Sequence, residues 1–253
     1  MAFQPIVETR TSRNVGYEAL LRGPRGTPLA SPGLLFGRPD LLSGEVLRQL
    51  DLACVESALR SGRPLPRDTK LFINVHGGTM YIDGRELFSL MDALEVDPTR
   101  VVLEVSETID AAHVKAISKF LVPFRKRGVQ VALDDVGVRY AWLYHLLYLE
   151  PEYFKVDRAF VKNVHRLPRK AHILLGLRSL ADHVGAGLIA EGIETEEDGR
   201  ALAELGIAYG QGFWLGTPRP AEEWLDGSDR QNLWHKAVDA VHVPPARPSI
   251  ARH

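Results

Sequence analysis

Two rhythms of apolar and polar positions alternate along the chain. Short apolar runs, bounded by Gly, Pro, Asn or Asp, read as strands. They fall at Phe3 to Thr9, Val15 to Arg22, Leu71 to Ile73, Val101 to Leu103, Val129 to Leu133, Tyr153 to Val156, Gly187 to Ala190 and Ile207 to Gly210. Between them lie stretches with helical spacing. Ser43 to Arg60 carries Leu47, Leu50, Ala53 (or Cys54) and Ala58 on one face, and further helices are predicted over Arg85–Leu94, Ala111–Lys126, Arg169–Val184 and Glu196–Leu205. A shorter one runs from Tyr140 to Tyr148 and is stopped by Pro151. Thr195 precedes three acidic residues, the signature of a capped helix start.

Strands alternating with helices imply right-handed βαβ units and a parallel sheet. The first two runs are the exception. Only a short turn at Ser12-Arg13-Asn14 separates them, too little for a helical crossover, so they are expected to be antiparallel neighbours. Counting that pair gives eight strands, enough to close a barrel, and 253 residues is a familiar length for one. The loop from Gly23 to Pro39 is dense in Gly and Pro, and the tail from Val241 has no periodicity and is expected to be mobile.

The polar residues that end these runs carry the chemistry. Asn74, Glu104, Asp134, Asp135, Glu191 and Gln211 each follow an apolar run, and Glu107 lies close behind Glu104. Glu18 and Lys155 interrupt runs of their own. In a parallel barrel the C-terminal strand ends open onto one face, where barrel enzymes keep their sites. So many carboxylates on one mouth repel each other unless cations sit among them. An all-oxygen donor set selects Mg²⁺ or Mn²⁺ over zinc, and the nine histidines show no paired ligand spacing. Two such ions sharing one aspartate are the standard arrangement for phosphodiester hydrolysis.

Composition excludes other classes. A net charge of −1 gives no basic surface for duplex nucleic acid. Cys54 is alone, so no intrachain disulfide forms and a reducing compartment fits. The start Met1-Ala2-Phe3-Gln4-Pro5 is no signal peptide, and no apolar run reaches membrane-spanning length, so a cytoplasmic location is expected.

In order along the chain stand Gln4-Pro5-Ile6, Tyr17-Glu18-Ala19-Leu20-Leu21-Arg22, Ile73-Asn74-Val75, Leu103-Glu104-Val105-Ser106-Glu107, Leu133-Asp134-Asp135, Lys155-Val156-Asp157, Ala190-Glu191-Gly192-Ile193-Glu194 and Gln211-Gly212. From Phe3 to Trp224 this succession resembles the EAL domain, named for the tripeptide at Glu18-Ala19-Leu20. The resemblance implies a TIM-like (β/α)8 barrel whose first strand is antiparallel to the rest. It implies hydrolysis of cyclic di-GMP to linear pGpG with two Mg²⁺ or Mn²⁺ ions. Carried over by motif, Glu18, Asn74, Glu104 and Asp134 would hold one ion, and Asp134, Asp135 and Glu191 the other. Lys155 would orient the attacking water, with Glu191 and Asp135 as its catalytic neighbours. Gln4, Arg22, Asp157 and Gln211 would contact the substrate, Arg22 at a phosphate, and Glu107 would support the loop after Asp135. A homodimer, formed through a face that includes the helix near Tyr140 with Trp142 and Tyr144, is also expected.

The sequence departs from that pattern after Asp135. Val136-Gly137-Val138-Arg139-Tyr140-Ala141-Trp142 replaces the family's Phe-Gly-Thr-Gly-Tyr-Ser-Ser, and His76-Gly77-Gly78 follows Val75 where a small residue is usual. These changes bear on rate and regulation and keep a rival reading: a non-catalytic EAL module that binds cyclic di-GMP or a protein partner. An unrelated barrel enzyme would use Lys155 as a Schiff-base amine but leaves the carboxylates unexplained. Residues 1–228 are expected to form the domain and 229–253 a C-terminal extension. Met1 directly precedes the first strand, so the expectation is either a domain that stands alone or one cut from a longer chain.

Overall fold

In the computed structural model of the chain, residues 1–23, 43–75, 84–106, 111–138 and 142–225 are described. The Gly/Pro-rich loop, Glu107, His76 to Gly78, Arg139 to Ala141 and the expected C-terminal extension lie outside them.

Eight strands close a barrel in chain order. They are β1 (Ala2–Glu8), β2 (Asn14–Leu20), β3 (Lys70–Val75), β4 (Val101–Ser106), β5 (Gln130–Val136), β6 (Tyr153–Val156), β7 (Gly187–Ala190) and β8 (Tyr209–Gly210). β1 pairs antiparallel with both β2 and β8, and every other neighbouring pair is parallel. The short β1–β2 connection explains the reversal: Glu8 N donates to Arg13 O at 2.9 Å, and Ser12 takes φ 59° to make the turn. Because β1 runs backwards, Gln4 in its first half pairs with Glu18 in the second half of β2. Both therefore lie toward the same mouth.

The alternation of strand side chains splits the apolar residues into two cores. Ile6, Phe72, Val102, Ala132 and Ile189 form a layer of their own, closed by Tyr153 and Tyr209. They share strand parity with the predicted site residues and so point into the barrel. Their sequence neighbours Leu71, Ile73, Leu103, Leu133, Phe154 and Leu188 face outward into the larger core against the helices. Strands buried on both faces are what an almost unbroken apolar run demands. Truncating a buried ring such as Phe72 to Ala would cost about 3–5 kcal/mol.

The helices follow the predicted order. α1 (Gly44–Ser61), α2 (Gly84–Ala93), α3 (Ala111–Lys126), α4 (Trp142–Leu149), α6 (Pro168–Val184) and α7 (Glu196–Glu204) match expected elements, whereas the short α5 (Arg158–Val161) has too few residues to show a period. Ser43 caps α1 by accepting from Val46 N at 3.3 Å. The buried face of α1 is Asp51, Cys54, Val55, Ala58 and Leu59, so Cys54 and not the exposed Ala53 belongs to it. β8 is shorter than expected, because Ile207 is buried in the helix-facing core ahead of the ladder.

A strap after β8 completes the closure. Phe3 and Arg219 exchange backbone hydrogen bonds at 2.6 and 3.0 Å, and Trp224 Nε1 donates to Phe3 O at 2.9 Å. Among the described residues no helix is long and apolar enough to cross a membrane.

Candidate active site

Each of the six strands β3 to β8 delivers a polar side chain to the mouth two residues beyond an inward-facing position of the layer below. Phe72 is followed so by Asn74, Val102 by Glu104, Ala132 by Asp134, Tyr153 by Lys155, Ile189 by Glu191 and Tyr209 by Gln211. At their centre is the Lys155 ammonium, only 1% exposed. It lies 2.7 Å from Glu104 Oε1, 2.8 Å from Glu191 Oε1, and 3.3 Å from both Glu18 Oε2 and Asp134 Oδ1. An isolated lysine would keep its head in water; here the head is the buried part.

Glu18 is held by amides as well. Asn74 Nδ2 donates to its Oε1 at 3.0 Å and Gln211 Nε2 to its Oε2 at 2.6 Å. Burial disfavours the Glu18 carboxylate, but Lys155 and those amides outweigh it and hold the group below its usual range. Glu104 goes the other way. Burial, then the neighbouring Glu18, push it well above the carboxylate range despite Lys155, and its buried Oε2 has no hydrogen-bond partner. Burial, with Asp134 and Glu18 nearby, raises Glu191 to about 8 against the pull of Lys155. Asp134 is also raised, burial again leading. Burial opposes the charge on Lys155, yet Asp134, Glu104, Glu18 and Glu191 keep it protonated well above its ordinary range. One ammonium does not neutralise so many carboxylates.

Asp134 and Asp135 are adjacent on a strand, where alternation sends neighbours to opposite faces. The chain breaks the alternation at this point. Asp135 takes φ 59°, and the β5–β6 register shifts between Leu133 and Val136. Such a bulge re-aims a side chain beside a site. Asp134, Asp135 and Glu191 consequently offer carboxylate oxygens that all lie within 4.8 Å of one another. Hard cations take such oxygens as ligands, and an acidic cluster with an orphaned buried oxygen fits them.

A cleft of about 240 Å³ opens above this cluster. Gln4, Glu18, Asp134, Lys155, Glu191 and Gln211 form its floor, and Asp157, Arg158, Glu194 and Phe213 its rim. Gly192, at φ 70°, lets the chain turn directly after Glu191 and pack against Arg158, where a Cβ would fall 2.4 Å from that of the arginine.

A model of the EAL domain matches residues 1–218. The chain belongs to the EAL family. It is 25% identical over 89% of its length to the probable cyclic di-GMP phosphodiesterase PdeN of Escherichia coli, of which it covers 44%. It is 29% identical over 89% of its length to the cyclic di-GMP phosphodiesterase PA2567 of Pseudomonas aeruginosa, of which it covers 40%. It thus spans less than half of these relatives. Among solved structures, the PaMucR phosphodiesterase in complex with c-di-GMP is similar, with a TM-score of 0.76 and 27% identity over 88% of this chain and 92% of that one. The manganese and cyclic di-GMP complex of Klebsiella pneumoniae BlrP1 gives 0.74 and 32% over 87% of this chain and 55% of that one.

Within this EAL domain most of the residues expected from sequence come together; some do not. Asp157 lies on the rim, but its Oδ1 caps α5 by accepting from Ala159 N at 2.7 Å. Arg22 is exposed, donates to Leu21 O at 2.9 Å and stands outside the lining of the cleft. Glu194, which closes the Ala190–Glu194 run just before the helix cap Thr195, reaches the rim and pairs with Lys162 at 2.8 Å. Phe213 went unremarked, though an aromatic directly after Gln211-Gly212 was the available signal. It is 61% exposed.

Proposed function

We propose that this domain hydrolyses cyclic di-GMP to linear pGpG with two Mg²⁺ or Mn²⁺ ions. One observation carries the reading. The carboxylates of Glu18, Glu104, Asp134 and Glu191 converge around the ammonium of Lys155, and Asp135 joins Asp134 and Glu191 in one cluster. Formally these carboxylates exceed the ammonium by four negative charges, the number two divalent cations cancel. Glu18, Asn74, Glu104 and Asp134 would hold one ion; Asp134, Asp135 and Glu191 would hold the other. Bound there, such ions would supply Lewis acidity toward the phosphodiester and the attacking water.

The protein's own groups do the rest. The amides of Asn74 and Gln211 keep Glu18 ionised and aimed. Lys155, whose ammonium stands among Glu18, Glu104, Asp134 and Glu191, would donate to the attacking water and hold it in place. Phe213 offers an aromatic face to a base at the rim, and Arg158 a guanidinium to the edge of that base or to a phosphate. Neutralising the mouth also permits a dianionic nucleotide to enter it.

Incubation with cyclic di-GMP and Mg²⁺ or Mn²⁺, followed by chromatography, tests this. The expected product is linear pGpG. Nucleotide that binds yet is recovered intact with both ions overturns the enzyme and leaves a receptor domain.

A further inference from the structure

Gln4, Gln211 and Glu18 form a chain of hydrogen bonds with a direction. Gln4 Nε2 donates to Gly216 O at 3.0 Å, and Gln211 Nε2 donates to Gln4 Oε1 at 3.2 Å and to Glu18 Oε2 at 2.6 Å. A carboxamide has a donor end and an acceptor end, and a backbone carbonyl only accepts. Gly216 O therefore dictates which way Gln4 faces, and Gln4 Oε1 is turned to Gln211. Both hydrogens of Gln211 Nε2 are then committed. Its Oε1 is left over, buried and without a hydrogen-bond partner, on a side chain that is 4% exposed and lines the cleft.

The origin of the chain is rigid. A Cβ on Gly216 would fall 2.5 Å from Pro5 Cγ and 3.0 Å from the Trp224 ring, so the backbone there is wedged in place. Gly216 N also closes the turn onto Gly212 O at 2.9 Å. Gln4 is itself only 7% exposed, with both ends of its amide used inside the protein. That differs from the direct substrate contact its motif implies.

We propose that Gln4 is a positioning residue acting through Gln211: it holds the Gln211 amide so that Oε1 accepts from an O–H donor bound in the cleft beside Glu18. The donor is the attacking water or a nucleotide hydroxyl. A buried acceptor left unmatched is costly, so a ligand that supplies the hydrogen is favoured. The role of this oxygen in turnover rests on the phosphodiesterase reading; the hydrogen-bond chain itself does not.

The experiment has two arms. In ¹⁵N-labelled protein, Gln4→Leu is expected to speed exchange of the Gln211 side-chain amide protons with solvent, while Mg²⁺ affinity changes less than about twofold; unchanged exchange overturns the chain. Gln4→Met serves in its place if the leucine variant does not fold. In the second arm, Gln4→Leu, Gln211→Met and the double variant are compared for kcat and for the Kd of cyclic di-GMP. Loss of one hydrogen bond predicts a decrease of roughly tenfold in the single Gln4 variant. A water donor puts the loss in kcat and a hydroxyl donor puts it in Kd. In either case the Gln4 change adds nothing once Gln211 is replaced. A Gln4→Leu effect that persists in full in the Gln211→Met background means that Gln4 touches the nucleotide itself and overturns the proposal. Wild-type protein without turnover refutes the phosphodiesterase reading, and the exchange arm still decides the chain.

Discussion

Lys155 Nζ on β6 and Glu104 Oε1 on β4 lie 2.7 Å apart across the intervening β5, with side chains 1% and 0% exposed. Removing that ammonium takes away the compensation for the buried cluster, above all for Glu18, whose carboxylate Lys155 holds ionised. Lys155→Met is therefore expected to lower the stability of the metal-free protein by about 3–5 kcal/mol. Acid should narrow the loss, since the carboxylates then neutralise themselves by taking up protons. Millimolar Mg²⁺ should restore much of it, because an ion takes over the neutralising role. Urea denaturation with and without Mg²⁺ measures both effects. Equal stability of variant and wild type without metal would refute the charge account.

Asp134 reaches both proposed ion positions, within 3.3 Å of Lys155 and inside the cluster with Asp135 and Glu191. Asp134→Ala should abolish divalent binding at both positions with little loss of fold, since this side chain is no part of the apolar core. Calorimetric titration with Mn²⁺ and far-ultraviolet circular dichroism are the measurements. Retained affinity at wild-type strength would end the shared-ligand reading.

At the rim, Phe213 is held on a fixed backbone. Trp214 N donates to Ile193 O at 3.1 Å, and Gly212 is pressed so closely on Ile193 that a Cβ would lie 2.2 Å from its backbone. The exposed ring is thus a preset platform. Stacking contributes roughly 1–3 kcal/mol per base, so Phe213→Ala should weaken cyclic di-GMP binding about 5- to 150-fold without moving metal affinity. An unchanged nucleotide Kd would remove the residue from the site.

The homodimer expected from the sequence would use α4. Trp142 and Tyr144 were the aromatic residues expected to form its contact face. Tyr144 is half-buried and packed on Tyr148 at 5.1 Å, while Leu143 and Leu147, one turn apart, are 55% and 71% exposed. Those two leucines are the exposed apolar side chains that the expected contact with a second copy would use. Light scattering at tens of micromolar should report a dimer for wild type and a monomer for Leu147→Glu. A monomeric wild type would rule the homodimer out.

Much of this was legible in the sequence because a barrel converts spacing into position. An apolar residue followed two places later by an acid or amide specifies both an inward face and a strand end, as in Val102 and Glu104 or Ile189 and Glu191. Three features were not legible. The motif paired Asp134 with Asp135, but the backbone that lets both face the site, a positive φ with a register shift, has no signal in periodicity. Asp157 matched a motif, but whether a carboxylate at a strand end meets ligand or caps the next helix is decided by where the helix begins. The distinct jobs of Gln4 and Gln211 follow from the carbonyl of Gly216, far away in the chain. Local pattern has no access to such contacts.

Glu191 gives the sharpest dependence on pH. In the metal-free fold its carboxyl sits at about 8, raised from 4.5 chiefly by burial. The sign follows from linkage. A group that binds its proton more tightly when folded contributes stability below its unfolded pKa, and that contribution is lost as pH rises through the folded value. The metal-free protein should therefore lose stability from Glu191 between pH 4.5 and about 8. A divalent ion reverses the preference, because a ligand carboxylate must be deprotonated. At pH 7, binding of Mg²⁺ should displace the Glu191 proton, about one per site, and the release should vanish above roughly pH 9. Titration calorimetry in two buffers of different ionisation enthalpy counts those protons directly. Glu191→Gln carries no proton to lose, so its count at pH 7 should fall by about one relative to wild type. If both proteins release the same number, Glu191 is not among the groups that the ion displaces from protonation, and the assignment of Glu191 to the second ion fails.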